Sequence, residues 1–143
     1  MRKYVLGILL LITVIGTVEG IDYSQLEEQA IDLLEGSPAY MYRTDVDITE
    51  DRVLIDYRTD EFTEDGLLKD GFYEDIIAVT AIYILILDEC PNAGDLKAKI
   101  RKMDGTLVGA YSCKNLWAKN VDAHDTEMVA ELIKKVVDTI KSV

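Results

Sequence analysis

The sequence predicts an α+β domain of order α-β-β-α-β-β-α, with a four-stranded antiparallel sheet covered by helices. Three observations carry that prediction. Two stretches alternate apolar and polar residues with a period of two, the signature of half-buried strands. Two others place apolar residues at helical spacing. Between the alternating stretches lies Phe72 to Cys90, nineteen residues without a turn signal.

The first element is "DYSQLEEQAIDLLEGSP". Leu26, Ala30, Leu33 and Leu34 fall on one stripe, and Gly36 and Pro38 end the helix. In "AYMYRTDVDITEDRVLIDYRT" the period changes to two. Tyr40, Tyr42, Thr44, Val46 and Ile48 share one face, as do Val53, Ile55, Tyr57 and Thr59. A four-residue loop, "TEDR", sets Val46 opposite Ile55 and Tyr42 opposite Thr59.

The next stretch, "DGFYEDIIAVTAIYILILDEC", pulls two ways. Seven of the twelve residues from Ile76 to Leu87 are β-branched, which favours a strand. Its length favours a helix, because strands are rarely so long. Glu74 and Asp75 suit the positive end of a helix, and Asp70 is available as a cap. A central helix, apolar nearly all round and therefore buried, is the prediction.

The second hairpin, "DLKAKIRKMDGTLVGAYSC", turns at Asp104-Gly105. That turn sets Met103 opposite Thr106, Ile100 opposite Gly109, Ala98 opposite Tyr111 and Leu96 opposite Cys113. After a link holding Trp117, Asp125 caps a last helix. Its stripe runs through Met128, Val129, Leu132, Ile133, Val136, Val137 and Ile140, with Lys141 in the final turn.

Residues 1–20 are set apart as a signal peptide or short membrane anchor, leaving 21–143 as a single globular α+β domain. Arg2 and Lys3 precede an apolar run from Tyr4, and small residues surround the exit at "VEG". As a helix, Tyr4 to Val18 would be about 22 Å long against a hydrocarbon core of about 30 Å. Three readings stay open: a cleaved signal, a retained anchor, and a buried first helix.

Charge narrows the partners. The chain carries 15 basic and 27 acidic residues, a net −12. Without Arg2, Lys3 and Glu19 those become 13 and 26, a net −13 for residues 21–143. Nucleic acid and anionic membranes demand clustered positive charge and are set aside. A membrane is expected only through residues 4–18, if these are uncleaved. The acid concentrates between Asp45 and Asp75, where twelve carboxylates face three basic residues. A solvated surface is the plain reading of such a run.

Cys90 and Cys113 are the only cysteines. In an exported protein, one disulfide is their simplest use. The register puts Cys113 on the core side, and the "PNAG" loop returns Cys90 toward the same edge. Free buried thiols and active thiols are the alternatives. Two thiols fall short of a zinc site without further ligands, and no C-x-x-C spacing occurs.

Asp45 and Asp56 stand opposite each other on the outward face, with Arg43 opposite Arg58. A chequered ion-pair cluster is one reading. A carboxylate pair for a cation or for acid–base chemistry is the sharper one. "DVDITED" matches a calcium loop poorly, because Glu50 stands where the sixth-position glycine belongs. His124, the only histidine, is read as a solvated loop residue. No P-loop, G-x-S-x-G or H-E-x-x-H motif is present, and no cofactor is expected. Trp117 and the tyrosines are core and rim residues, some of them suited to a partner surface.

At "GFYEDIIAVTAIYI" and "DGTLVGAYSCKNLWAKN" the chain is similar to small uncharacterised exported proteins of methanogenic archaea. The similarity covers about residues 70–143. It implies an extracytoplasmic location, agrees with the central helix, and brings no activity with it. The element order also resembles small acidic secretion-chaperone folds, though an exported location counts against them.

Together these readings predict a non-enzymatic extracytoplasmic binding or interaction domain, stapled by one disulfide. It is expected to be secreted or tethered to the outer face of the membrane, with an unknown protein or small ligand as partner. The alternative is a cation-binding or hydrolase-like site on the acidic hairpin.

Overall fold

The computed structural model describes residues 23–37, 41–60 and 72–142. The predicted signal or anchor (1–20) and the proposed Asp70 cap lie outside these residues. In chain order the elements are α1 (Tyr23–Glu35), β1 (Tyr42–Ile48), β2 (Arg52–Arg58), α2 (Phe72–Glu89) and β3 (Asp95–Arg101). Then come β4 (Leu107–Cys113), the single turn α3 (Asn115–Ala118), α4 (Thr126–Val137) and β5 (Lys141–Ser142).

An α+β fold with a central sheet flanked by helices is therefore present. The sheet differs from the four-stranded antiparallel expectation. It has five strands in the order β1-β2-β3-β4-β5, and β2 pairs with β3 in parallel. The reason is the crossover. A helix between two adjacent strands carries the chain back to the end where it began, so the next strand runs parallel. The expected pairing treated the hairpins as independent, but α2 couples them.

Alternation sorts the strands into two faces. Val53, Ile55, Tyr57, Leu96, Ala98, Ile100, Tyr111 and Cys113 are all buried on the helix side. Asp45, Asp47, Lys97 and Lys99 point the other way. On the covered side α1 packs on β1, and α2 touches both α1 and α4. From Asp75 to Leu87 every residue of α2 is buried, as its all-round apolar sequence requires.

Both hairpin registers agree with the sequence over most of their length and depart at bulges. Val46 faces Ile55 and Asp45 faces Asp56, but Tyr42 faces Arg58 rather than Thr59. Arg43 takes a φ of 46° there, in the left-handed region. The extra residue turns Tyr42 outward, and its side chain is exposed rather than on the core face. In the second hairpin the loop has three residues instead of two. Gly105 donates to the Lys102 carbonyl at 2.9 Å with a φ of 95°, and Lys102 donates to Thr106. A compensating bulge at Val108 restores Ile100 opposite Gly109 and Leu96 opposite Cys113.

Asp125 caps α4 as expected, accepting from the Glu127 and Met128 amides. The helix stops at Val137, earlier than its stripe predicts, and Lys141 belongs to β5. Thr139 directs that change. Its hydroxyl oxygen accepts from the Ser112 amide at 2.8 Å and lies 2.7 Å from the Val136 carbonyl. The chain then runs along β4, Lys141 beside Ala110.

No helix among the described residues is long and apolar enough to cross a membrane. The apolar α2 has acidic residues at both ends and is packed against the sheet. The expected tether to the outer face of a membrane therefore finds no spanning helix among the described residues, and residues 4–18, on which it was placed, lie outside them.

One backbone approach locks the crossover. Gly94 donates to the Thr49 carbonyl, and a Cβ on it would sit 2.2 Å from the Asp51 carbonyl carbon. Only glycine fits. Gly94→Ala is expected to cost about 1–3 kcal/mol through displaced backbone. Urea denaturation checks this, and an unchanged midpoint would show that the approach is dispensable.

Candidate functional site

The hairpin carboxylates come first. Asp45 and Asp56 are cross-strand partners, as the register requires. Their side chains do not act as a pair, because Asp56 is already taken. Arg101 clamps it with two hydrogen bonds, Nε to Oδ1 at 2.8 Å and Nη2 to Oδ2 at 3.1 Å. That bidentate contact raises the Arg101 pKa. Arg101 also donates to the Gly105 carbonyl, and Arg58 donates to the Met103 carbonyl. The basic side chains on this face thus tie the second hairpin's turn to β2. The expected chequer with Arg43 does not form, since Arg43 sits in the bulge. Among the described residues no group of three or more His, Cys, Asp or Glu could hold a metal ion. The cation reading of the acidic hairpin is corrected on that finding, and Asp56 is committed to Arg101.

The cysteines come second. Cys90 and Cys113 are both free. The register placed Cys113 correctly, buried and opposite Leu96. Its sulfur lies 3.7 Å from the next residue's carbonyl, at Lys114. Cys90 is held in the last turn of α2, its amide on Ile86 and its carbonyl on Ala93. The "PNAG" loop is fixed independently by Asn115, whose amide nitrogen donates to the Pro91 and Ala93 carbonyls. Burial pushes the Cys113 thiol up to about 12. Burial and Glu89 raise Cys90 as well. Neither thiol is activated as a nucleophile. The disulfide-stapled binding domain of the sequence reading is corrected accordingly.

His124 is exposed in the loop before α4, as expected. It partly offsets the upward shift that burial and Asp122 impose on Asp88. A further polar group lies inside the core. The Tyr57 and Tyr111 hydroxyls are 3.1 Å apart, and the Phe72 ring meets Tyr111 edge-on. Burial raises both tyrosines well above their usual pKa, and nearby Asp75 adds to the shift. This cluster is sealed from solvent and ties α2 to the sheet.

One open feature among the described residues is a groove of about 470 Å³ between the start of α2 and the length of α4. Its walls are Tyr73 and Ile77 from α2, and Val129, Ala130, Ile133 and Val137 from α4. These positions follow helical spacing on both helices, which is why each helix presents them together. Thr126, Glu127, Lys134 and Asp138 form the rim. Lys134 is engaged with Glu131 at 3.1 Å, which leaves the carboxylates of Glu127 and Asp138 dominating the rim. Every one of the α4 wall residues except Ala130 lay in the predicted stripe and was read as core. The signal for a groove was the width of that stripe.

Two outcomes follow from the corrected residues. Alkylation of the folded protein should label Cys90 first and Cys113 only in denaturant. Two unlabelled thiols under non-reducing denaturation would mean a bridge. Calcium or chelator should leave the melting temperature of the wild type unchanged, and Asp45→Asn should melt with it. A calcium-dependent rise lost in Asp45→Asn would restore the cation site.

Residues 20–143 match the model of a domain of unknown function, DUF8159, and the chain belongs to that family. No curated protein and no solved structure matches it.

Proposed function

We propose that this domain holds a small molecule with an apolar body in the α2–α4 groove, and that the molecule is neutral or cationic. The groove itself carries the reading. Its volume lies in the usual range for ligand sites, roughly 300–1,000 Å³, and its walls are apolar with few polar groups, the common make-up of such sites. Tyr73 stands half out of the surface as an aromatic wall, 43% exposed. An aromatic face attracts a cation placed over it.

The rim sets the sign of the ligand. Glu127 and Asp138 each bring a negative charge, while Lys134 is paired with Glu131. The whole chain adds a net −12. An anionic head group would be repelled at the rim and at long range. A cationic or uncharged one meets no such barrier.

Matched amphiphiles test it. Calorimetric titration should show a dodecyltrimethylammonium ion, below its micelle concentration, binding more tightly than dodecanoate. Ala130→Trp fills the groove from an exposed position and should weaken binding about tenfold or more, about 1.4 kcal/mol. Equal affinity in Ala130→Trp and wild type, or a preference for dodecanoate, would remove the reading.

A further inference from the structure

The opposite flank of α4 carries a second apolar surface. Trp117, Val121, Met128 and Leu132 border a shallower groove of about 370 Å³ there. Leu116, next to Trp117, is 73% exposed, and Met128 is 38% exposed. Glu127 and Glu131 lie toward one end of this groove and Lys135 toward the other. Along the helix, acid occupies the first half and base the second.

We infer that this flank of α4 docks against the same flank of a second copy of the chain, the two helices running antiparallel about a two-fold axis. The charge order selects that occupant. A two-fold axis near Glu131 and Leu132 brings Glu127 of each copy to Lys135 of the other. Met128 then meets the aliphatic stem of Lys135 across the seam. A parallel arrangement would set acid against acid and base against base. Within one copy Glu127 and Lys135 are eight residues apart, about 12 Å along the axis, so they cannot satisfy each other. Glu131 comes nearest the axis, and its charge is already met by Lys134 at 3.1 Å. An isologous contact of this kind uses one patch twice, which suits a patch holding both signs.

The net charge of −12 opposes association of two copies at long range. At about 0.15 M salt the Debye length is about 8 Å, which screens that repulsion while leaving contact pairs largely intact. The surface is separate from the ligand groove, apart from Glu127, which borders both.

Charge exchange tests the arrangement. Sedimentation across a concentration series should show the wild type as a dimer. Glu127→Lys and Lys135→Glu should each be monomeric over the same range, weakened about tenfold or more, with melting curves like the wild type. Mixed together, the two variants should form a heterodimer, because both contacts are then Lys against Glu. Ala130→Trp, in the other groove, should leave the mass unchanged, so failure of the ligand reading does not touch this one. A monomeric wild type would overturn the inference. So would a dimer indifferent to both variants, or a mixture no heavier than its parts.

Discussion

The structure depends on the burial of α2. Thirteen consecutive residues of this helix, Asp75 to Leu87, are out of solvent, and they can be so only if other elements enclose the helix. The sheet supplies one side, and α1 and α4 supply the flanks. The same helix carries the chain from β2 to β3 and makes those strands parallel neighbours. They become the centre of the sheet, and their core-facing side chains are at most 1% exposed. The hairpins then extend outward, β1 to one edge and β4 toward the other, where β5 covers it.

Much of this was legible. Period-two alternation placed Val46 against Ile55 and Leu96 against Cys113, because a one-residue slip would have turned every apolar side chain to water. The length of the α2 run outweighed its β-branched composition for a similar reason. Burial on all sides suits any apolar residue, so tertiary context overrides propensity. What could not be read was non-local or lacked a residue signal. Parallel pairing depends on where the crossover lands. The bulge at Arg43 uses a left-handed backbone that normally signals itself with glycine. The end of α4 depends on Thr139 meeting Ser112, twenty-seven residues away in sequence.

The thiols show the same limit from the side of chemistry. Two cysteines and an apparent leader sequence suggested a bridge, and the strand register even set Cys113 on the right face. A disulfide needs its Cα atoms within about 7 Å and its Cβ vectors converging. Pattern alone does not supply that geometry. Here the last turn of α2 holds Cys90 by its own hydrogen bonds, and Asn115 fixes the following loop without help from a covalent link. Stability comes from the enclosed helix and the closely packed Gly94 turn.

The candidate site was visible in the sequence as a quantity rather than a motif. At 100° per residue, the apolar positions of α4 from Met128 round to Ala130 span roughly 200°, while a helix lying on a core needs a stripe of about 100°. Val129, Leu132 and Val136 occupy the middle of that arc and are buried. The surplus falls on both sides. Ile133, Val137 and Ala130 wall the groove shared with α2, and Met128 borders the one beside Trp117. Exposed apolar width costs solubility, and surplus of this kind usually marks a contact the domain makes with something else. Placed on one helix between two hollows, it puts both proposed contacts on α4, while the sheet face opposite carries charge of both signs, Asp45, Asp47 and Asp56 beside Lys97, Lys99 and Arg101.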